Sequence, residues 1–149
     1  GLVGVVKSVT SNSSIVLLMS DPTFKIGVRI AGTQGIGVVS GQGGNKYLLQ
    51  LLDATGEIKV GDVLVARGSE GGRPFVPGVP VGTVTSVQSN ASTITQNADV
   101  EGLSNLDRIG VVAVVVSPPK QDPRDSLIPK PAPTVTVFVT PTPSPSASN

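Results

Sequence analysis

The segment Gly71-Gly72-Arg73-Pro74-Phe75-Val76-Pro77-Gly78-Val79-Pro80-Val81-Gly82-Thr83-Val84 runs from a loop punctuated by glycine and proline straight into a β-strand. Pro74, Pro77 and Pro80 restrict φ, so the loop is stiff. Its end, Gly82-Thr83-Val84-Thr85-Ser86-Val87, echoes Gly4-Val5-Val6-Lys7-Ser8-Val9 near the start of the chain. Both copies read Gly-x-Val-x-Ser-Val, and a polar turn follows each. One type of strand used twice implies two related small β units. That argues for a duplicated barrel scaffold and against an enzyme built around one deep pocket.

Composition supports strands. In 149 residues, 38% are hydrophobic but only 3% aromatic, so valine, isoleucine and leucine must build the core. That bias, with 18 glycines and few runs of good helix formers, favours short strands joined by tight turns. Charge identifies no partner. Residues 1–116 carry eight basic and eight acidic side chains. A nucleic-acid binder shows a basic stripe and stacking aromatics. One tyrosine and three scattered phenylalanines do not supply them, so nucleic acid is not expected as a partner.

The chain has no cysteine and no histidine. Disulfides are therefore excluded, although the compartment is not fixed by their absence. The usual general base, the commonest metal ligand and every Ser–His or Cys–His pair are also missing. A serine protease needs an imidazole between nucleophile and carboxylate. Ser8 lies beside Lys7, but neighbours on a strand face opposite sides, which argues against a Ser–Lys dyad. The carboxylates Asp21, Asp53, Glu57, Asp62, Glu70, Asp99 and Glu101 sit almost all beside turn signals and read as turn and cap chemistry. Asp99-Val100-Glu101-Gly102 only hints at a Ca²⁺ loop. The glycines around Gly35–Gly37 and Gly41–Gly44 open no helix, so they form no phosphate loop. No catalytic, metal or cofactor residue is assigned, and no small-molecule substrate is expected.

Short strand-like runs recur at Leu2–Thr10, Ser14–Met19, Lys25–Ile30, Gly35–Ser40, Lys46–Leu52, Val63–Val65, Val79–Gln88, Thr93–Gln96 and Gly110–Val116. Ile26, Val28 and Ile30 alternate with polar or small residues, the pattern of a half-buried strand. Leu103, Leu106 and Ile109 repeat at three-residue spacing and predict one or two helical turns capping a barrel. Strand spacing of roughly 8–12 residues points to a small barrel or sandwich. Nine of thirteen prolines fall at or after Pro118, which sets off a Pro/Ser/Thr-rich tail. The expected organisation is all-β, with two small packed β-barrel subdomains at 1–57 and 58–117, strands being open to sharing between them. A disordered tail at 118–149 follows. A β-prone island at Thr134–Thr140 lies within that tail, isolated by flanking prolines.

The loop residues Phe75, Val76, Pro77 and Val79 form the candidate partner-binding site. Two readings stand for Phe75. It either plugs the gap between the barrels as core, or anchors a patch with Val76 and Val79 for self-association or a partner.

At this level the order of motifs resembles a known family. Gly1-Leu2-Val3-Gly4-x-Val6-x-Ser8-Val9, Val16-Leu17-Leu18-Met19-Ser20-Asp21-Pro22 and Val28-Arg29-Ile30 resemble the opening of the extracytoplasmic domain of the rod shape-determining protein MreC. Lys59-Val60-Gly61-Asp62-x-Leu64-Val65 and Gly71 through Val84 resemble its second half. Asp99, Leu103, Leu106, Ile109 and Val111 resemble its closing segment, and the tail is similar to tails on exported actinobacterial proteins. The resemblance implies a non-enzymatic scaffold of the cell-wall elongation machinery, acting in formation and maintenance of cell shape. It also implies a penicillin-binding protein and an MreD-like membrane partner, self-association into a homo-oligomer, and a place on the extracytoplasmic face of the cell membrane. The anchor would be an N-terminal segment outside this chain, which begins at Gly1 without methionine and reads as a fragment or processed form. The rival reading is an adaptor β-barrel of a secretion or efflux assembly. Such an adaptor should show a lipoyl-like hairpin beside long helices.

Overall fold

The computed structural model describes residues 1–52, 56–88 and 96–130. Among the described residues eight strands run in chain order: β1 Gly4–Val9, β2 Ser14–Leu18, β3 Lys25–Ile30, β4 Ile36–Gly41, β5 Lys46–Leu51, β6 Val63–Ala66, β7 Pro80–Gln88 and β8 Asn97–Gly102. β1 and β2 form a two-stranded antiparallel sheet, and the other six close into a barrel in the order β3-β4-β5-β8-β7-β6. Closure removes the exposed edges that an open sheet of this size would leave.

The chain is all-β, with short 3-10 turns at Glu70–Gly72 and Leu106–Arg108. Two β units are present, as expected. One is a closed barrel and the other a separate hairpin. The barrel takes β3–β5 from before residue 57 and β6–β8 from after it, so strands are shared across that line. The echoed motif falls once in each unit, on β1 and on β7. The two copies also pair alike. Gly4 opposes Leu18 and Val6 opposes Val16, after which the register slips so that Ser8 opposes Ile15. Gly82 opposes Gly102 and Val84 opposes Val100, after which Ser86 opposes Asp99. Gly-x-Val-x-Ser-Val thus encodes a strand with a β-bulge at its second variable position, Lys7 or Thr85. The motif glycine has a steric reason in both copies. A Cβ on Gly4 would strike the Leu17 carbonyl oxygen, and one on Gly82 would lie 2.6 Å from that of Glu101.

Alternation fills the barrel. Ile26, Val28 and Ile30 from β3 meet Tyr47, Leu49 and Leu51 from β5, Leu64 and Ala66 from β6, Val81 and Val84 from β7, and Ala98 and Val100 from β8. Met19 and Phe24, from the link between β2 and β3, join the same core. At about 25 cal/mol per Å² of apolar surface, such burial is the dominant stabilising contribution.

Two elements differ from the sequence expectation, a closing strand and two turn carboxylates, while the expected helical turn is present. Gly110–Val116, expected as a closing strand, pairs with no strand among the described residues, and Val111 is 98% exposed. The helical cap is a single 3-10 turn, Leu106–Arg108, in which the Asn105 side chain accepts from the Asp107 amide at 3.0 Å. Asp99 and Glu101, read as turn residues, lie within β8. Of the run expected at Thr93–Gln96, only Gln96 lies among the described residues, and β8 begins one residue later. The strand island Thr134–Thr140 and the tail end lie outside the described residues. The tail's described part, 118–130, carries no strand but does not stand clear of the barrel, because Asp125 accepts a hydrogen bond from Arg29.

Candidate functional site

The loop between β6 and β7 is fixed by backbone hydrogen bonds at both ends. Ala66 N–H donates to the Val79 carbonyl at 2.8 Å, Gly78 N–H to that of Ala66 at 2.9 Å, and Ser69 N–H to that of Phe75 at 3.0 Å. Gly68 and Gly78 take the left-handed conformation, with φ of 82° and 84°, which suits glycine. Gly68 also meets Pro77 directly: a Cβ there would sit 2.9 Å from the proline ring nitrogen and Cδ. The Arg73–Pro74 peptide is cis.

This frame turns Phe75 inward. Its ring meets Phe24 edge to face, with centroids 5.6 Å apart and planes at 77°. Phe75 and Val79 pack against the main core while remaining partly open. The open side of Phe75 lines a cleft of about 990 Å³ with Val76 and Val79. The other walls are Leu2–Val6 from the start of the hairpin and Val111–Val116 from the unpaired segment. Leu2 N–H reaches the Pro80 carbonyl at 2.9 Å and ties the hairpin side to the loop side. Of the four candidate residues, the cleft brings together Phe75, Val76 and Val79. Pro77 instead packs behind the loop on Gly68. The sequence reading did not join Leu2, Val5, Val6 and Val111–Val116 to this site. The available signal was the lack of alternation in Gly110–Val116, which a half-buried strand would show.

The cleft's walls are mostly aliphatic, with Arg73 the one charged side chain among its lining residues. Elsewhere two carboxylates serve turns. Asp21 accepts from the Thr23 hydroxyl and amide, and those bonds hold its carboxyl below the ordinary value. Asp62 accepts from the Lys59 amide at 2.8 Å. Among the described residues no three metal-ligating side chains converge. Lys7 and Ser8 are both exposed. Because the bulge at Lys7 breaks the simple alternation of faces, that exposure, and not strand geometry, is what argues against a buried catalytic lysine there.

Fold and cleft together define an all-β barrel protein that carries a broad, mostly apolar cleft between its hairpin and its barrel loop. The family model for the rod shape-determining protein MreC, barrel core, matches residues 1–116. The cell shape-determining protein MreC of Haemophilus influenzae is 34% identical over 116 residues, which covers 77% of this chain and 32% of that protein. Its Escherichia coli counterpart is 37% identical over 110 residues, covering 71% and 29%. The crystal structure of MreC from Pseudomonas aeruginosa superposes with a TM-score of 0.63 at 30% identity, covering 72% of this chain and 69% of that one. A complex between penicillin-binding protein PBP2 and MreC from Helicobacter pylori contains the same fold, with a TM-score of 0.50 at 20% identity. The chain belongs to the MreC family through its barrel core. It spans about a third of the length of the curated relatives it matches.

Proposed function

We propose that this chain is the partner-binding barrel region of a non-enzymatic scaffold for cell-wall elongation, acting in the formation and maintenance of cell shape. The apolar cleft is the observation that carries the reading. Apolar concave surfaces rimmed by polar residues are protein-binding sites more often than solvent-facing accidents. The family's cell-shape role supports it, and so does the existence of a PBP2–MreC complex in a relative. The partner is then a penicillin-binding protein, docking with Phe75, Val76 and Val79 at its contact. An MreD-like membrane partner and self-association belong to the same reading, as does a position on the extracytoplasmic face of the membrane. Among the described residues no helix is long and apolar enough to cross a membrane, so the anchor would be a segment other than these.

The two β units fit a two-barrel organisation. β1 and β2 repeat the register and bulge of β7 and β8, and the latter pair is flanked in the barrel by β6 and β5. By that equivalence the hairpin corresponds to the β7–β8 pair of the barrel.

Val76 tests the docking surface. It lines the cleft but lies outside the main core, so Val76→Asp should leave the melting temperature nearly unchanged. It should weaken capture of the purified penicillin-binding protein at least tenfold, roughly 1.4 kcal/mol. Full-strength capture by a normally folded variant would refute docking at this cleft. Catalysis has its own check. Peptidase and peptidoglycan-hydrolase assays on the purified chain should read background, given its lack of histidine and cysteine. Turnover that co-purifies with the folded protein through a second column would refute the scaffold reading. The rival adaptor reading draws no support from the described residues, whose helical content is two 3-10 turns.

A further inference from the structure

Arg29 is the odd residue of β3. Ile26, Val28 and Ile30 point into the barrel, so alternation places Arg29 on its outer face. An outward arginine on a small barrel is ordinarily solvated, yet Arg29 is only 6% exposed. Its cross-strand neighbour Val65, which shares that face, is fully buried and stands apart from the barrel's core cluster. The segment following the family's barrel core lies over Arg29. Asp125 accepts a hydrogen bond from Arg29 Nη1, and its other oxygen takes the Gly32 amide at 3.3 Å. Asp122 stands 3.8 Å from Nη2.

The segment is shaped for this contact. Arg124 N–H donates to the Asp122 carboxylate at 2.8 Å, and Ser126 Oγ donates to the Pro123 carbonyl at 2.7 Å. Amides of Ser126 and Ile128 reach back three residues at 3.2 Å. These successive turns bring two carboxylates three residues apart onto one guanidinium. Two prolines seat against glycines of the loop. A Cβ on Gly72 would fall 2.6 Å from Pro118 Cγ, and one on Gly78 would fall 2.9 Å from Pro123 Cδ. The fit leaves the guanidinium unsaturated. Among the described residues, Nε and Nη2 of Arg29 have no hydrogen-bond partner.

We propose that Arg29, Gly32, Gly72 and Gly78 form a binding site for a proline-containing segment bearing two carboxylates, and that residues 118–128 occupy it in cis as a detachable strap. The ligand class follows from the receptor. A buried guanidinium demands carboxylate, and side-chain-free seats at two glycines admit proline rings that carry no amide proton to satisfy. The hydrogen bond from Arg29, foremost, holds the Asp125 carboxyl below its ordinary value, consistent with a charged anchor. On this proposal a better-placed carboxylate displaces the strap by pairing with the two donors that the strap leaves without a hydrogen bond. The strap lies beyond residue 116, so this site is distinct from the cleft, although the loop forms one wall of each.

The test uses the full chain and its Asp122→Ala/Asp125→Ala double variant, with a synthetic peptide of residues 117–130 as the probe. In the parent chain, the amides of Gly32, Ser126 and Ile128 should exchange with solvent at least tenfold more slowly than in the variant, while amides within β4 and β5 match in both. The peptide, added in trans, should saturably shift the Arg29 side-chain and Gly32, Gly72 and Gly78 resonances of the variant, and leave the parent unshifted because its own strap fills the site. A peptide carrying both Asp→Ala changes should shift neither. Strap amides that exchange in the parent as fast as in the free peptide would overturn the proposal. So would a variant that keeps its strap protected, or one whose resonances ignore millimolar peptide.

Discussion

Phe75→Ala is expected to lower the stability of the fold by about 3 kcal/mol, at the low end of the range for Phe-to-Ala changes because the ring is only partly enclosed. For a chain of this size that corresponds to roughly 10 °C in melting temperature. The ring lies edge to face on Phe24 and packs against the main core, so its removal leaves Phe24 beside a void open to the cleft. A thermal melt measures the loss. Phe75→Leu, which restores most of the apolar volume but not the aromatic edge, should recover more than half of it. A Phe75→Ala variant that melts within 2 °C of the parent would show that the ring's packing contributes little, and would leave only its role as a wall of the cleft.

Gly41→Ala should cost about 2–3 kcal/mol for a different reason, overpacking. A Cβ at Gly41 would strike the Asp21 carbonyl oxygen and lie 2.6 Å from that of Met19 and 2.8 Å from the Ser20 carbonyl carbon. All three are backbone atoms of the link between hairpin and barrel, so no side-chain rotation relieves the clash. Gly27→Ala is the matched control. Gly27 lies on β3 with nothing within 4 Å of a Cβ, and the change should stay within about 0.5 kcal/mol of neutral. Equal melting temperatures for the two variants would mean that the link moves away at no cost.

Much of the barrel was readable because its strands obey local rules. β3 begins and ends where the alternation of Ile26, Val28 and Ile30 predicts. β5 and β7 each match the predicted run to within a residue or so. β8 was not readable. Asn97-Ala98-Asp99-Val100-Glu101-Gly102 is rich in residues that disfavour strands, and its two inward side chains, Ala98 and Val100, are small. Pairing with β5 on one edge and β7 on the other imposes the conformation that propensity does not supply. The opposite error occurs at Val111–Val116, where composition favours a strand but no pairing partner forms among the described residues.

The candidate site divides in the same way. Glycine and proline spacing marked the loop and its apolar residues, because φ restriction and φ > 0 are local properties. The opposite wall of the cleft was hidden, since Val5 and Val112 meet the loop only after the chain has closed a barrel between them.

Family membership was legible in the order of short motifs, and the repeated Gly-x-Val-x-Ser-Val marked two like strands. Local sequence carries both, because a bulge and a close-packed glycine are requirements on consecutive residues. Which strands share a barrel is not local. Neither is the burial of Arg29 beneath Asp125, 96 positions away in the chain. An arginine on an alternating strand reads as solvated until a distant segment folds over it, so its environment depends on long-range closure, to which periodicity is blind.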